Sequence, residues 1–121
     1  KDYFDLSSAI GYETWIRMST RPRDWHRDHD DRLQLTTGEM KYPICTTCYY
    51  PYVADNVKDG RLCFENGTIV LPKTNRMVFF GPDVYHNVEP FTGERISILL
   101  NPWNEPLCQT PCYDPWRRYM I

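Results

Sequence analysis

The sequence contains no apolar run approaching the ~20 residues of a helical membrane span, which argues against a transmembrane helix. It carries no excess of positive charge. The formal net charge is −2 at pH 7, so the basic footprint of a nucleic-acid-binding face is missing. No signal peptide is visible, no segment repeats and no stretch is of low complexity. These absences lead to the expectation of a soluble protein with neither a membrane nor a nucleic-acid partner. The chain opens on Lys1 rather than Met, and neither its compartment nor its oligomeric state is legible from it. At 121 residues it has room for one domain around one core. Histidine is scarce: there are three, and they fall in two short stretches.

What is present is a series of short β-type runs. A hydrophobic fraction of 41%, with 15% aromatic residues, is enough to fill a core. Residues 13–19, 25–31, 44–52, 61–65, 68–71, 77–80, 85–88 and 95–100 read as strands separated by turn residues. Asn66-Gly67 is a strong hairpin turn, and a more economical reading than the glycosylation sequon that Asn66-Gly67-Thr68 also matches. Residues 55–60 read as a polar loop, and residues 2–9 as a short helix. The Pro- and Cys-rich stretch after Trp103 reads as a tail wrapping the surface. Short strands with turns every ~8–12 residues indicate a sandwich or barrel. A jelly-roll-like barrel leaves room for one small ligand and a metal at its open end. The expectation is an all-β core in a single domain spanning residues 1–121, with the core at about 12–103 and an irregular tail over 104–121.

The histidines carry the chemistry. Trp25-His26-Arg27-Asp28-His29-Asp30-Asp31 holds two of them, and Tyr85-His86 the third. Residues i and i+2 of an extended strand point to one face, so His26 and Asp28 can reach a common ion. His29 and Asp31 have the same spacing on the opposite face and remain the alternative first pair. His26/Asp28 is preferred because Trp25 suits a strand entry and Asp30-Asp31-Arg32 looks like a solvated charge run. His86 follows the apolar run Met77-Val78-Phe79-Phe80, where a lone histidine is usually structural; the His-x-Asp upstream reverses that reading. Two imidazoles and one carboxylate on one face of Fe(II) leave open positions for substrate and oxygen.

Arg95 precedes the apolar run Ile96-Ser97-Ile98-Leu99-Leu100. Interior cations are rare and need an anionic partner, so a buried guanidinium here suggests a carboxylate held by two parallel hydrogen bonds. Ser97 points to the same face and can add a hydroxyl. A surface arginine paired with Glu94 or Glu89 is the bland alternative. Five cysteines are ambiguous: Cys45 and Cys48 form a C-x-x-C, Cys108 and Cys112 a C-x-x-x-C, and Cys63 is left over. They read first as small apolar residues and free or bridged tail thiols, with a structural zinc or a set of disulfides as alternatives.

Taken in order, these pieces resemble the Fe(II)/2-oxoglutarate-dependent dioxygenases, and among them the prolyl-hydroxylase-like group. The matching strings are His26-x-Asp28, Thr46-Thr47-Cys48-Tyr49-Tyr50-Pro51-Tyr52, Asp59-Gly60-Arg61-Leu62, Pro72, Asn75-Arg76-Met77-Val78-Phe79-Phe80, Tyr85-His86-Asn87-Val88-Glu89-Pro90 and Gly93-Glu94-Arg95-Ile96-Ser97, about two thirds of the chain. The resemblance implies a double-stranded β-helix of jelly-roll or cupin-like type. It implies Fe(II) on His26, Asp28 and His86, and the distal carboxylate of 2-oxoglutarate on Arg95, with Ser97 and either Tyr49 or Tyr50 assisting. The chain departs from the pattern where the family's usual Gly-Gly is Asp59-Gly60, and in a longer stretch over residues 33–43, which suits a loop over the site mouth. The N-terminal support helices common in the family are nearly absent.

The activity implied is hydroxylation of an unactivated C–H bond with O2, releasing succinate and CO2, with ascorbate as a stimulant. Related halogenases carry a small residue at the position of Asp28, so a carboxylate there favours hydroxylation. The resemblance points to a peptidyl substrate such as proline. Residues 33–43, Tyr42, Tyr52 and Tyr113-Asp114-Pro115-Trp116 would form its groove, or else simply pack. A small-molecule substrate such as a free amino acid, a non-catalytic jelly-roll binding module and a zinc-stapled interaction domain are the competing expectations.

Overall fold

The computed structural model describes residues 4–18, 20–106 and 117–120. They form mostly antiparallel β-structure: β1 (Gly11–Arg17), β2 (Arg23–His26), β3 (Thr46–Val53), β4 (Lys58–Asp59), β5 (Leu62–Phe64), β6 (Ile69–Val70), β7 (Arg76–Phe80), β8 (His86–Val88), β9 (Phe91–Thr92), β10 (Arg95–Trp103) and β11 (Arg117–Met120). One helix, α1 (Asp31–Thr37), interrupts them. A five-stranded sheet has the order β11-β1-β10-β3-β7, a four-stranded sheet β2-β8-β5-β6, and β4 pairs with β9 in a two-stranded ladder.

The inner faces of the two larger sheets meet. Phe64 of β5 packs edge-on against Phe80 of β7 with ring centroids 5.0 Å apart, and Phe80 in turn stands 4.7 Å from the His86 ring of β8. Period-two alternation decides what each strand buries. On β10 Arg95, Ser97, Asn101 and Trp103 are buried on one face, whereas Ile98, Leu100 and the buried Pro102 line a groove on the other with Tyr12, Tyr49 and Phe79. The strand that looks apolar in sequence thus turns its polar side inward. Most interior arginines and serines destabilise a core unless they have a partner or a function.

Several local expectations change. Residues 4–9 are not helical; Ala9 N donates to Leu6 O (3.0 Å) across a turn, and Ile10 N to Trp103 O (2.8 Å), which ties this segment to β10. The second strand ends at His26 rather than running to residue 31, because Asp30 caps a helix: its carboxylate accepts from Leu33 N at 3.0 Å. Gly38 closes α1 in the left-handed conformation, φ 78°, donating to Gln34 O. The stretch over residues 33–43 is therefore half helix. The tail is not wholly irregular either, since β11 pairs antiparallel with β1. Cys108, Cys112 and residues 113–116 lie outside the described residues. The Asn66-Gly67 hairpin forms as expected: Gly67 has φ 91° and Phe64 N donates to Thr68 O at 2.9 Å.

Candidate metal centre

The antiparallel register of β2 on β8 pairs His26 directly with His86. The two imidazoles then lie side by side, ring centroids 4.3 Å apart. Their chain neighbours Trp25 and Tyr85 point to the other face and stack at 5.5 Å, with Arg27 over the Tyr85 ring at 4.7 Å, so the strand pair is braced from outside. An irregularity between Arg23 and His26 shifts the β2 register and sets the chain up to leave the sheet. Asp28 follows in the loop, its backbone N donating to Pro82 O at 3.2 Å, and its carboxylate turns back towards both rings. Asp28 Oδ1 is 3.7 Å from His26 Nε2 and Oδ2 is 3.4 Å from His86 Nε2.

One ligand atom from each of His26, Asp28 and His86 lies within 4.8 Å of the others. Hydrogen bonds behind the rings prepare them. His26 Nδ1 is 2.6 Å from Asp24 O and His86 Nδ1 is 2.8 Å from Val84 O. A carbonyl accepts only, so each Nδ1 carries the proton and each Nε2 presents a lone pair to the centre. Burial lowers the His26 pKa, the Asp24 carbonyl opposes that shift, and the nearby Arg23 adds to it; the net direction favours the neutral, ligating form. Thr46 Oγ1 on β3, fully buried, donates to Asp28 Oδ2 at 2.9 Å and fixes the carboxylate from the opposite sheet. Hydrogen bonds of this kind orient metal ligands and hold their tautomers. The donor set suits a divalent transition metal.

His29 does not join this group: its Nδ1 faces Arg27 O at 3.2 Å, while Asp31 opens α1. Among the described residues no other metal-holding cluster of histidine, cysteine or acid occurs. Cys45 and Cys48 are buried and free, and Cys63 is half-buried and free. Cys45 keeps company with Thr47, and Cys48 with Tyr50 on the inner face, so the C-x-x-C does not converge on one ion; burial pushes both thiols up.

Behind the centre lies a narrow cleft lined by Arg17, Arg23, Tyr50, Phe80, Arg95 and Ser97, among others, with a cavity of about 40 Å³. Arg95 is 7% exposed; Nη1 donates to Gly60 O at 2.7 Å, and the guanidinium stacks on Phe91 at 3.8 Å. Tyr50 is buried and its ring lies 5.6 Å from the guanidinium, whereas Tyr49 sits on the outer face and donates its hydroxyl to Asn75 Oδ1 at 2.8 Å. Burial pushes the Tyr50 phenol up, so it stays a neutral donor. Burial also pulls Arg95 down from its ordinary value, with the nearby Tyr50 and Cys48 opposing the shift.

Sequence reading missed Thr46, Arg17, Arg23, Phe91 and the role of Gly60. Gly60 has φ 71°, and a Cβ there would stand 2.6 Å from Arg95 Nη1 and 2.8 Å from Phe91 Cβ. The Asp59-Gly60 pair was the available signal. Both residues are left-handed, Asp59 at φ 67° where the resemblance expects a second glycine. Thr46 was accessible through strand phase, two and four residues before Cys48 and Tyr50, whereas Arg17 meets Ser97 only through the register of β1 on β10. Comparison with protein-family models, curated proteins and solved structures finds no match.

Proposed function

We propose that this protein is an Fe(II)- and 2-oxoglutarate-dependent oxygenase that hydroxylates an unactivated C–H bond on a peptidyl residue such as proline. The observation carrying this reading is the convergence of two Nε2 lone pairs and the Asp28 carboxylate beside a cleft lined by both histidines and by the buried Arg95, whose one side-chain hydrogen bond among the described residues is to Gly60 O. The strand order supports it. With β11 and the β4–β9 ladder left out, the chain passes between the β1-β10-β3-β7 and β2-β8-β5-β6 sheets at every step except the β5–β6 hairpin, the winding expected of a double-stranded β-helix.

His26, Asp28 and His86 would hold the iron, and Arg95, with Ser97 and Tyr50, the distal carboxylate of 2-oxoglutarate. Bound there, iron with 2-oxoglutarate and O2 supplies the oxidising power for C–H hydroxylation and releases succinate and CO2. The chain's own contribution is geometric and electrostatic. Asp24 O and Val84 O keep the imidazole protons away from the metal side, Thr46 holds the carboxylate, and the aromatic walls Phe80 and Phe64 exclude water.

The test is succinate production from 2-oxoglutarate under air with Fe(II) and ascorbate, which proceeds uncoupled without the prime substrate. Wild type is expected to turn over; His26→Ala and His86→Ala are expected to lose turnover, and His29→Ala to keep it. A folded wild type that neither binds iron nor makes succinate overturns the reading.

A further inference from the structure

The cleft holds more positive charge than this chemistry uses. Arg17, Arg23 and Arg95 line it together with His26 and His86, and no carboxylate is among its lining residues. A divalent ion with the Asp28 carboxylate leaves one positive charge. The 2-oxoglutarate dianion neutralises that charge and the Arg95 guanidinium. The two remaining arginines stand on the rim: Arg17 ends β1 and Arg23 opens β2, at the crossing from one sheet to the other. Arg17 is engaged, its Nη2 donating to Arg21 O at 3.1 Å. The half-buried Arg23 guanidinium makes no hydrogen bond or ion pair among the described residues.

Arg23 and His26 are the two ends of the same short strand and line the same cleft. A guanidinium in this position is repelled by any cation the histidines hold, and the repulsion strengthens as water leaves the cleft. It becomes favourable only when an anion joins it, and its planar fork fits a carboxylate through two parallel hydrogen bonds. We propose that Arg23 receives a carboxylate of the prime substrate, so that the molecule oxidised here is acidic. This rests on the oxygenase reading. The carboxylate sits either on an acidic side chain of a peptide or on a free small acid.

The experiment measures binding by calorimetry to full-length protein loaded with Mn(II) and 2-oxoglutarate under argon. Two matched probe pairs are used: a doubly capped Gly-Gly-Glu-Gly-Gly peptide against its Gln counterpart, and free butyrate against butyramide. Wild type is expected to prefer the acidic member of at least one pair by about tenfold, the worth of one charge-assisted contact. The pair that shows the preference identifies the source as peptide or small acid. Arg23→Gln is expected to abolish the preference, Arg23→Lys to restore part of it, and Lys73→Gln, on an exposed turn, to leave it intact. Equal or absent binding of acid and amide in both pairs overturns the proposal. So does a preference that survives Arg23→Gln, or an Arg23→Gln effect confined to 2-oxoglutarate affinity. A wild type that takes up no 2-oxoglutarate fails the oxygenase reading instead, and the same probes on the metal-free protein then report the anion preference alone.

Discussion

Thr46 is a side chain whose importance lies in one hydrogen atom. It is fully buried, and its hydroxyl is the donor that orients Asp28 Oδ2. Thr46→Val keeps the shape and removes the donor, leaving a buried carboxylate oxygen unsatisfied. Metal affinity is expected to fall about 10–100-fold, measured by chelator competition, and Thr46→Ser to recover most of it. An unchanged affinity would mean that the metal itself suffices to orient Asp28. Gly60 makes the complementary case for Arg95. Gly60→Ala places a Cβ 2.6 Å from Arg95 Nη1 at a backbone φ of 71°, so it is expected to cost roughly 1–3 kcal/mol of stability. It should also weaken 2-oxoglutarate binding while leaving metal affinity within about twofold of wild type. At this scale the sequence spoke unevenly. His26, Asp28, His86 and Arg95 were legible from residue type and spacing. The choice between Tyr49 and Tyr50 was not, because β3 carries one extra residue opposite residues 96–98 of β10, and simple alternation along the sequence does not reveal such a bulge.

The elements were legible where one face is buried and ambiguous where turn chemistry competes. The 77–80 and 95–100 runs announce strands by composition, and β7 and β10 form there. The helix α1 was hidden in what reads as a solvated charge run, although Asp30 as N-cap and Gly38 as terminator stood at the right separation. The inward face of β10 was read from Arg95 and Ser97, against what hydropathy alone suggests for that run, and both are buried. One element-level contact invites a pH test. Arg61, before β5, clamps Glu89, after β8, through Nε to Oε1 and Nη2 to Oε2, both 2.7 Å, while Glu89 N donates to Arg61 O at 3.1 Å. The Arg61 hydrogen bond lowers the Glu89 pKa from its ordinary 4.5. A depressed carboxylate stabilises the fold above the ordinary value and loses that contribution as pH falls through the lowered one. Wild type should therefore melt slightly above Glu89→Gln at neutral pH, and the gap should close below about pH 4.5. The gap is expected to be small because the pair is largely exposed. A gap that persists unchanged at pH 3 would show that the charge is not what Glu89 contributes.

For the molecule as a whole, the candidate metal centre is a tie between layers. His26 and His86 belong to the four-stranded sheet, and Asp28 is hydrogen-bonded to Thr46 on the five-stranded one. An ion held by all three binds the folded chain and not the unfolded one, so it stabilises by mass action, about 2.7 kcal/mol at a free concentration 100 times Kd. With an unfolding entropy of ~2.1 cal/mol/K per residue over 121 residues, that corresponds to a rise in Tm of roughly 10 °C. The rise should increase along Mn(II), Fe(II), Co(II), Ni(II), because two imidazoles follow the usual order of first-row affinities, and Mg(II) and Ca(II) should give little. It should vanish in His86→Ala and persist in His29→Ala, and chelator should reverse it. A Tm that responds equally to Mg(II), or that still rises with Co(II) in His86→Ala, would place the ion elsewhere and remove the basis for reading this cleft as an oxygenase site.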